Sequence, residues 1–334
     1  MKAVVCYGSG KPLVLEQRPD PVVGPGTVVI AVERCGICGS ELHLNDRPGR
    51  EFPQGFVMGH EFAGHIVELG RDVSGLHLGQ RVAAFPAVGC GSCEACAVGN
   101  WILCPSAVRV SGGFAEFARF PAAAAIPLDD QLTPADGALV EPLAVSLYGV
   151  RQAAIRPGDR VVVLGAGTIA LSAIYWARRL GAGRIVALSR SRRRADLAIA
   201  MGADAFVPYG DGEIAQAAEA LGGSADVVLE CVGVQGMLAK AISHARLLGK
   251  VVSLGFCTKP DEVTPAIAGF KGVSLQFPVG YSVKDFTYVA GSMLRGHVDP
   301  KAMISSVVDL DALPSKFDQL LQNNADNKVQ VAPA

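Results

Sequence analysis

Residues 160–181, RVVVLGAGTIALSAIYWARRLG, constrain the fold more than any other stretch of the chain. A β-branched run that reads as a buried strand meets a segment of helical length and period across Gly165, Gly167 and Ala170, a G-x-G-x-x-A spacing. Each small residue has a physical task there: a tight turn at Gly165, close backbone approach to a pyrophosphate at Gly167, helix packing at Ala170. The backbone of Gly165, Ala166, Gly167, Thr168 and Ile169 then faces the anion, and the helix N-terminus adds its positive end. Glycines serving only a tight turn are the plain alternative, yet a strand before and a helix after are the context a dinucleotide site requires. Downstream, RIVALSR, ADVVLECVG and KVVSLGF are further apolar runs, with RRADLAIAMGA and QGMLAKAISHARLLG helical in pattern between them. Strands alternating with helices predict an α/β unit on a parallel, doubly wound sheet covered on both faces, placed at residues 148–279.

The end of the second strand decides which dinucleotide fits. An NAD site carries Asp or Glu there to accept the ribose hydroxyls. This chain has Ser189, followed by Arg190, Arg192, Arg193 and Arg194. A carboxylate would repel a 2′-phosphate, whereas Ser189, Arg190 and Arg194 can donate to it, so NADP(H) is expected over NAD(H). The alternative is that the arginines are a solvated helix start. A nucleic-acid patch fits poorly, because the chain as a whole has 30 basic against 31 acidic residues.

That balance removes any global pull toward nucleic acid or anionic membrane and leaves a small molecule as the expected partner. With 334 residues the chain has room for two domains. Residues 1–147 alternate short β-branched runs with Pro and Gly and read as a β-rich domain; residues 280–334 are mixed and are expected to return to it. No stretch approaches the ~20 apolar residues of a membrane span, and MKAVVCYGSG has no cleavable-leader pattern, so a cytoplasmic protein is expected. In a reducing compartment clustered cysteines are metal ligands or catalytic thiols rather than disulfides.

Four of the nine cysteines fall in GCGSCEACAVGNWILC: Cys90, Cys93, Cys96 and Cys104. With glycines letting the loop curl, this spacing suits four thiolates around one tetrahedral zinc. Four thiolates close the coordination shell, so the role is structural. An iron–sulfur cluster could use the same ligands, but no second cluster-like run exists. Chemistry must then lie in CGICGSELH and GHEFAGH. A catalytic zinc needs three protein ligands and a vacancy. Cys38, His60 and an acid supply them, the acid being Glu61 or Glu141. Ser40 and His43 follow Cys38 closely enough to form a hydroxyl-to-imidazole path for the substrate proton. Cys35 with Cys38 could alternatively form a redox dithiol, but Cys38 is better used on zinc and Cys35 as a buried small residue.

With those motifs in order, and with GGFAEF, EPLAV and RPGDRVVVLGAG between them, the chain resembles the zinc-dependent medium-chain alcohol dehydrogenases over essentially its whole length. EPLAV points to the polyol, butanediol and threonine dehydrogenase branch. The resemblance implies a GroES-like catalytic domain beside a Rossmann domain. It implies one catalytic and one structural zinc, with Glu61 or Glu141 completing the catalytic set and exchanging during turnover, and a proton relay from Ser40 through His43. It implies that backbone near Cys231, Val232 and Gly233 and near Leu254 and Gly255 holds the nicotinamide end of the cofactor. A homodimer or homotetramer is the expected assembly. Two departures stand out: Ser40 keeps the hydroxyl of the usual Thr, while Glu41 is one methylene longer than the usual Asp, which puts the contact orienting the zinc-ligating histidine in question.

The rival readings are a zinc-free quinone or enone reductase and a non-catalytic nucleotide-binding redox sensor. Cys6, Cys231 and Cys257 lie in apolar runs and are expected in the core. His65, His77, His244 and His297 have no motif context. Phe85, Phe114 and Phe277 are candidates for a substrate pocket or for plain core packing.

Overall fold

The computed structural model describes residues 1–45, 52–296, 298–322 and 325–333. The chain divides into two compact units: Met1–Glu141 with Ser282–Gly296 and Ile304–Ala334, and Pro142–Tyr281 with His297–Met303. Among the described residues no helix is long and apolar enough to cross a membrane. His297 lies outside the described residues.

The first unit is β-rich. Its main sheet runs Ala125–Pro127, Arg81–Ala84, Glu61–Leu69, Thr27–Gly36, Lys328–Val331, Ile304–Val308, and Phe117–Pro121 also pairs with Thr27–Gly36. The central Thr27–Gly36 strand is shared: Phe117–Pro121 takes its first half, Lys328–Val331 its last residues, and Glu61–Leu69 its whole length. Gly36 therefore pairs with Glu61 on one side and Gln330 on the other. Three segments distant in sequence thus end at one place, and Cys38 lies two residues beyond it. Phe85 and Phe114 are fully buried in this unit, so they are core residues, whereas Phe277 of the second unit is 60% exposed. Cys6 is buried, but Cys231 and Cys257 are partly exposed, because both stand just past strand ends in loops rather than in the strands themselves.

The second unit holds a six-stranded parallel sheet in the order Ala205–Pro208, Arg184–Ser189, Arg160–Leu164, Ala225–Glu230, Ala245–Ser253, Ser274–Gln276. The first strand in sequence is central and later strands are added on both sides, so the point where the order reverses lies at its carboxyl end. Val161–Leu164 are at most 1% exposed, and the following helix Thr168–Arg179 buries a continuous run from Ala170 to Ala177. The segment read as the end of a helix, ARLLG after His244, is instead the start of the Ala245–Ser253 strand. Its apolar spacing suits either period, but Leu248 at φ 57° cannot continue a helix.

Candidate functional site

In the first unit, Cys38 ends the loop after the central strand and starts the helix Gly39–Asn45. Its backbone N–H donates to Glu41 Oε2 at 3.0 Å, which fixes that helix start from the third helical position. The other Glu41 oxygen accepts from Gly59 N–H at 2.9 Å and from His60 Nδ1 at 3.0 Å. Glu41 is 2% exposed. The longer side chain therefore makes the histidine contact that the departure from Asp put in question, and the extra methylene lets one carboxylate serve both the helix start and the histidine. With Nδ1 so engaged, Nε2 is the nitrogen of His60 left to reach a metal.

One ligand atom each from Cys38, His60 and Glu61 lie within 4.8 Å of one another. Glu141 is not in that group; it opens the helix Val140–Gln152 and is 7% exposed. Burial alone would lower the His60 pKa, but the negative charges of Glu41 and Cys38 outweigh it and hold the imidazole well above its ordinary value. A pocket this anionic, built of sulfur, nitrogen and oxygen donors with one imidazole nitrogen held in place, fits a zinc ion. The exposed Ser40 places its Oγ 3.2 Å from Cys38 Sγ, and the exposed His43 follows three residues later on the same helical face. A buried lysine that sequence reasoning missed joins the group: Lys328 Nζ lies 2.8 and 2.6 Å from the two Glu61 oxygens. Burial would lower its pKa, yet Glu61 and Cys38 raise it, so it stays an ammonium. It is 267 residues from Glu61 in sequence, and only the pairing of the last strand with the central one brings it there.

Cys90, Cys93, Cys96 and Cys104 also gather their sulfurs within 4.8 Å. Gly91 at φ 80° turns the loop, and a Cβ on Gly89 would sit 2.4 Å from Cys96 Sγ. Backbone N–H groups of Cys90 and Gly91 point at the sulfurs of Cys104 and Cys96, each at 3.4 Å. Hydrogen bonds from Ser92 pull the Cys90 thiol down to about 6, while desolvation, helped by the neighbouring thiols, pushes Cys96 up to about 11. Four crowded sulfurs cannot all ionise unless a cation sits among them, which is the chemistry of a structural zinc. The lobe is anchored by Trp101, edge-on to Phe85 at 5.8 Å, and Phe85 in turn meets Phe286 at 5.3 Å.

The glycine turn of the second unit has the geometry its sequence requires. Gly165 adopts φ 115°, which a residue with a Cβ rarely does, and its N–H donates to Leu188 O at 2.7 Å. Gly167 precedes the helix Thr168–Arg179 as its N-cap. Arg194 reaches back to Ala166 O at 3.1 Å and so braces the turn. Ser189 is half-buried and Arg190 exposed. Sequence reasoning missed two residues here. Tyr209 N–H donates to Ser189 O at 2.9 Å, and its buried hydroxyl has no hydrogen-bond partner among the described residues. Burial and the charges of Glu213 and Glu230 raise its pKa, so it is a donor at neutral pH. Glu230, 1% exposed, ties two loops together: Oε1 accepts from Val232 N–H at 2.6 Å and Gly233 N–H at 2.9 Å, and Oε2 accepts from Ser253 at 2.8 Å. Its carbonyl accepts from Leu254 and Gly255 N–H at 2.7 and 2.9 Å. The loops Cys231–Gly233 and Leu254–Gly255 are thus one structure, and Gly233 and Gly255 approach so closely that a Cβ on Gly255 would lie 2.2 Å from Gly233 N. The other histidines have ordinary surroundings: His77 Nδ1 lies 3.1 Å from Leu78 O, His65 faces Glu33, and the buried His244 faces Glu213.

A β-rich unit with two convergent sulfur-containing ligand groups, followed by a nucleotide-binding sheet, defines a metal-dependent nicotinamide oxidoreductase. Residues 24–130 match the alcohol dehydrogenase GroES-like domain and residues 168–295 the zinc-binding dehydrogenase family. The L-galactonate-5-dehydrogenase of Escherichia coli K12 is 31% identical over 333 residues, covering 98% of this chain and 97% of that one. The (R,R)-butanediol dehydrogenase of Bacillus subtilis is 31% identical over 338 residues, covering 97% of each. The crystal structure of 2R,3R-butanediol dehydrogenase from Bacillus subtilis superposes with TM-score 0.89 at 30% identity, covering 100% of this chain and 99% of that one. A zinc-binding dehydrogenase from Sinorhizobium meliloti 1021, bound to NADP, gives TM-score 0.90 at 30% identity, covering 99% of both. The chain belongs to the zinc-dependent medium-chain dehydrogenase family, in the polyol, butanediol and threonine dehydrogenase branch.

Proposed function

We propose that this protein interconverts a secondary alcohol, diol or polyol with its carbonyl compound, using NADP(H) and one catalytic zinc, while a second zinc holds the Cys90–Cys104 lobe. The observation that carries the reading is the convergence of Cys38, His60 and Glu61 ligand atoms within 4.8 Å, with the Ser40 hydroxyl beside Cys38. When bound, the zinc supplies Lewis acidity toward the substrate oxygen and the nicotinamide accepts or returns the hydride. Cys38 and His60 hold the ion together with Glu61 or Glu141. In the oxidation direction Ser40 Oγ takes the proton from the substrate hydroxyl and the His43 imidazole passes it on. The zinc-free reductase reading has no use for this donor set.

NADP(H) is favoured by what stands where a ribose-binding acid would be. Ser189 and Arg190 offer donors, and Tyr209 adds an unpartnered hydroxyl on the adjacent strand end. A 2′-phosphate presents acceptors to Ser189 and Arg190, whereas NAD(H) leaves the cation without a counter-charge. The protein is read as cytoplasmic and as a homodimer or homotetramer. The exposed apolar side chains Ile267, Phe270 and Phe277 flank the edge strand Ser274–Gln276 in sequence and give a second copy something to cover.

The test is an absorbance screen of zinc-replete protein against secondary alcohols, vicinal diols, sugar alcohols and hydroxy amino acids, with both cofactors. Turnover with NADP(H) is expected. Arg190→Ala should weaken NADPH at least about tenfold and leave NADH nearly unchanged; an equal loss for both removes the reason for choosing NADP(H).

A further inference from the structure

Lys328 is 2% exposed and begins a strand that is buried throughout. A lysine so placed needs a strong partner. It has one in Glu61, itself 1% exposed, and a further acceptor in Ile37 O at 3.0 Å. Both Glu61 oxygens are therefore engaged by an ammonium, although the same carboxylate lies within 4.8 Å of the Cys38 and His60 ligand atoms. Gly36 is what admits the carboxylate: a Cβ there would sit 1.9 Å from Glu61 Oε2. Glu61 is thus held between two cation sites, one permanent and one for the metal.

We propose that Lys328 is a positioning residue that competes with the catalytic zinc for Glu61, keeping this carboxylate within reach of the ion without committing it there. The inference rests on reading Cys38, His60 and Glu61 as the catalytic centre. An oxygen that accepts from an ammonium is a poorer donor to a dication, and the ammonium itself repels the dication across a dry pocket. Without Lys328 the unshared carboxylate is free to commit both oxygens to the zinc, and a catalytic zinc needs an open position. Lys328 therefore keeps the metal looser and more reactive than the same ligands would alone. A lysine serving only to neutralise a buried acid predicts the opposite, since its loss would disturb the site and free the metal sooner.

The experiment measures zinc transfer from intact protein to a chromophoric chelator. The phase missing in His60→Ala identifies the catalytic site. Lys328→Met is expected to slow that phase by about tenfold, the lower end of what neighbours of metal ligands do to metal affinity, and to lower kcat with KM for the cofactor unchanged. Glu61→Gln speeds release, and Lys328→Met slows release less in the Glu61→Gln background than in wild type, because there only the repulsion between ammonium and dication is removed and no carboxylate remains to compete for. Release from Lys328→Met at or above the wild-type rate overturns the proposal, as does a Lys328→Met effect as large in the Glu61→Gln background as in wild type, which would be charge repulsion alone. If Lys328→Met does not fold, Lys328→Gln, which keeps a hydrogen-bond donor to the carboxylate without the charge, takes its place in both backgrounds with the same expectations. Wild-type protein with no His60-dependent phase removes the metal-centre reading itself and the proposal with it.

Discussion

Three donors share the carboxylate of Glu41: the N–H groups of Cys38 and Gly59 and Nδ1 of His60, at 3.0, 2.9 and 3.0 Å. One side chain thereby sets the helix start that follows Cys38 and the ring orientation of His60, so both candidate zinc ligands depend on it. Glu41→Ala should lower zinc affinity at Cys38–His60 by about 10–100-fold, the usual range for a residue that orients a ligating histidine. Glu41→Asp, one methylene shorter, should lose one of the two anchorages and fall between. Zinc titration monitored by competition with a chelator distinguishes them; an Ala variant with wild-type affinity would mean that His60 is oriented by something else. The sequence pointed to Glu41 only as a departure from the family pattern. A spacing of three residues from Cys38 suggests a helix-start contact, but the contact to His60, 19 positions on, comes from tertiary structure.

At the scale of elements, the two loops at the strand ends of the nucleotide unit behave as one because Glu230 bonds to both. Removing its carboxylate leaves the N–H groups of Val232 and Gly233 without their acceptor, at a cost of up to about 1.5–3 kcal/mol for each bond to a charged group. Glu230→Ala should therefore weaken NADPH and NADH alike, by roughly tenfold or more, unlike Arg190→Ala, which discriminates. Fluorescence titration with both cofactors reads the difference, and a selective loss would show that Glu230 does not act through the shared backbone. The element pattern itself was legible where it was long and periodic. The Arg160–Leu164 strand, its glycine turn and the Thr168–Arg179 helix stand in RVVVLGAGTIALSAIYWARR as read. Strands Ala205–Pro208 and Ser274–Gln276 were missed, since four and three residues are too few to show a period. Their existence depends on neighbours already in the sheet. Lys328 escaped notice for a related reason: it lies beside Glu61 only after strands far apart in sequence have paired.

For the whole molecule, the candidate metal ligands and the glycine turn fall in different units, so variants of each can be compared separately. The α/β character and the two-part organisation were readable because each unit carries its own signal: Gly-rich alternation of strand and helix in one, clustered Cys and His among short strands in the other. The two ligand groups of the β-rich unit differ in kind. Cys90, Cys93, Cys96 and Cys104 offer a closed set of four, tied through Trp101 and Phe85 to the helix Val283–Ser292, so an ion there holds tertiary structure. Cys38, His60 and Glu61 offer three donors, with their neighbourhood already bonded through Glu41 and Lys328, so an ion there adds reactivity more than shape. His60→Ala should thus abolish turnover, by roughly a thousandfold or more, with NADPH affinity and thermal transition nearly unchanged. Cys93→Ser should do the reverse, lowering the first thermal transition by roughly 10 °C while retaining measurable turnover at low temperature. Calorimetry and steady-state rates on the two variants side by side test the division. Retained turnover in His60→Ala would remove the catalytic assignment, and an unchanged transition in Cys93→Ser would mean that the lobe is held by its aromatic anchor alone.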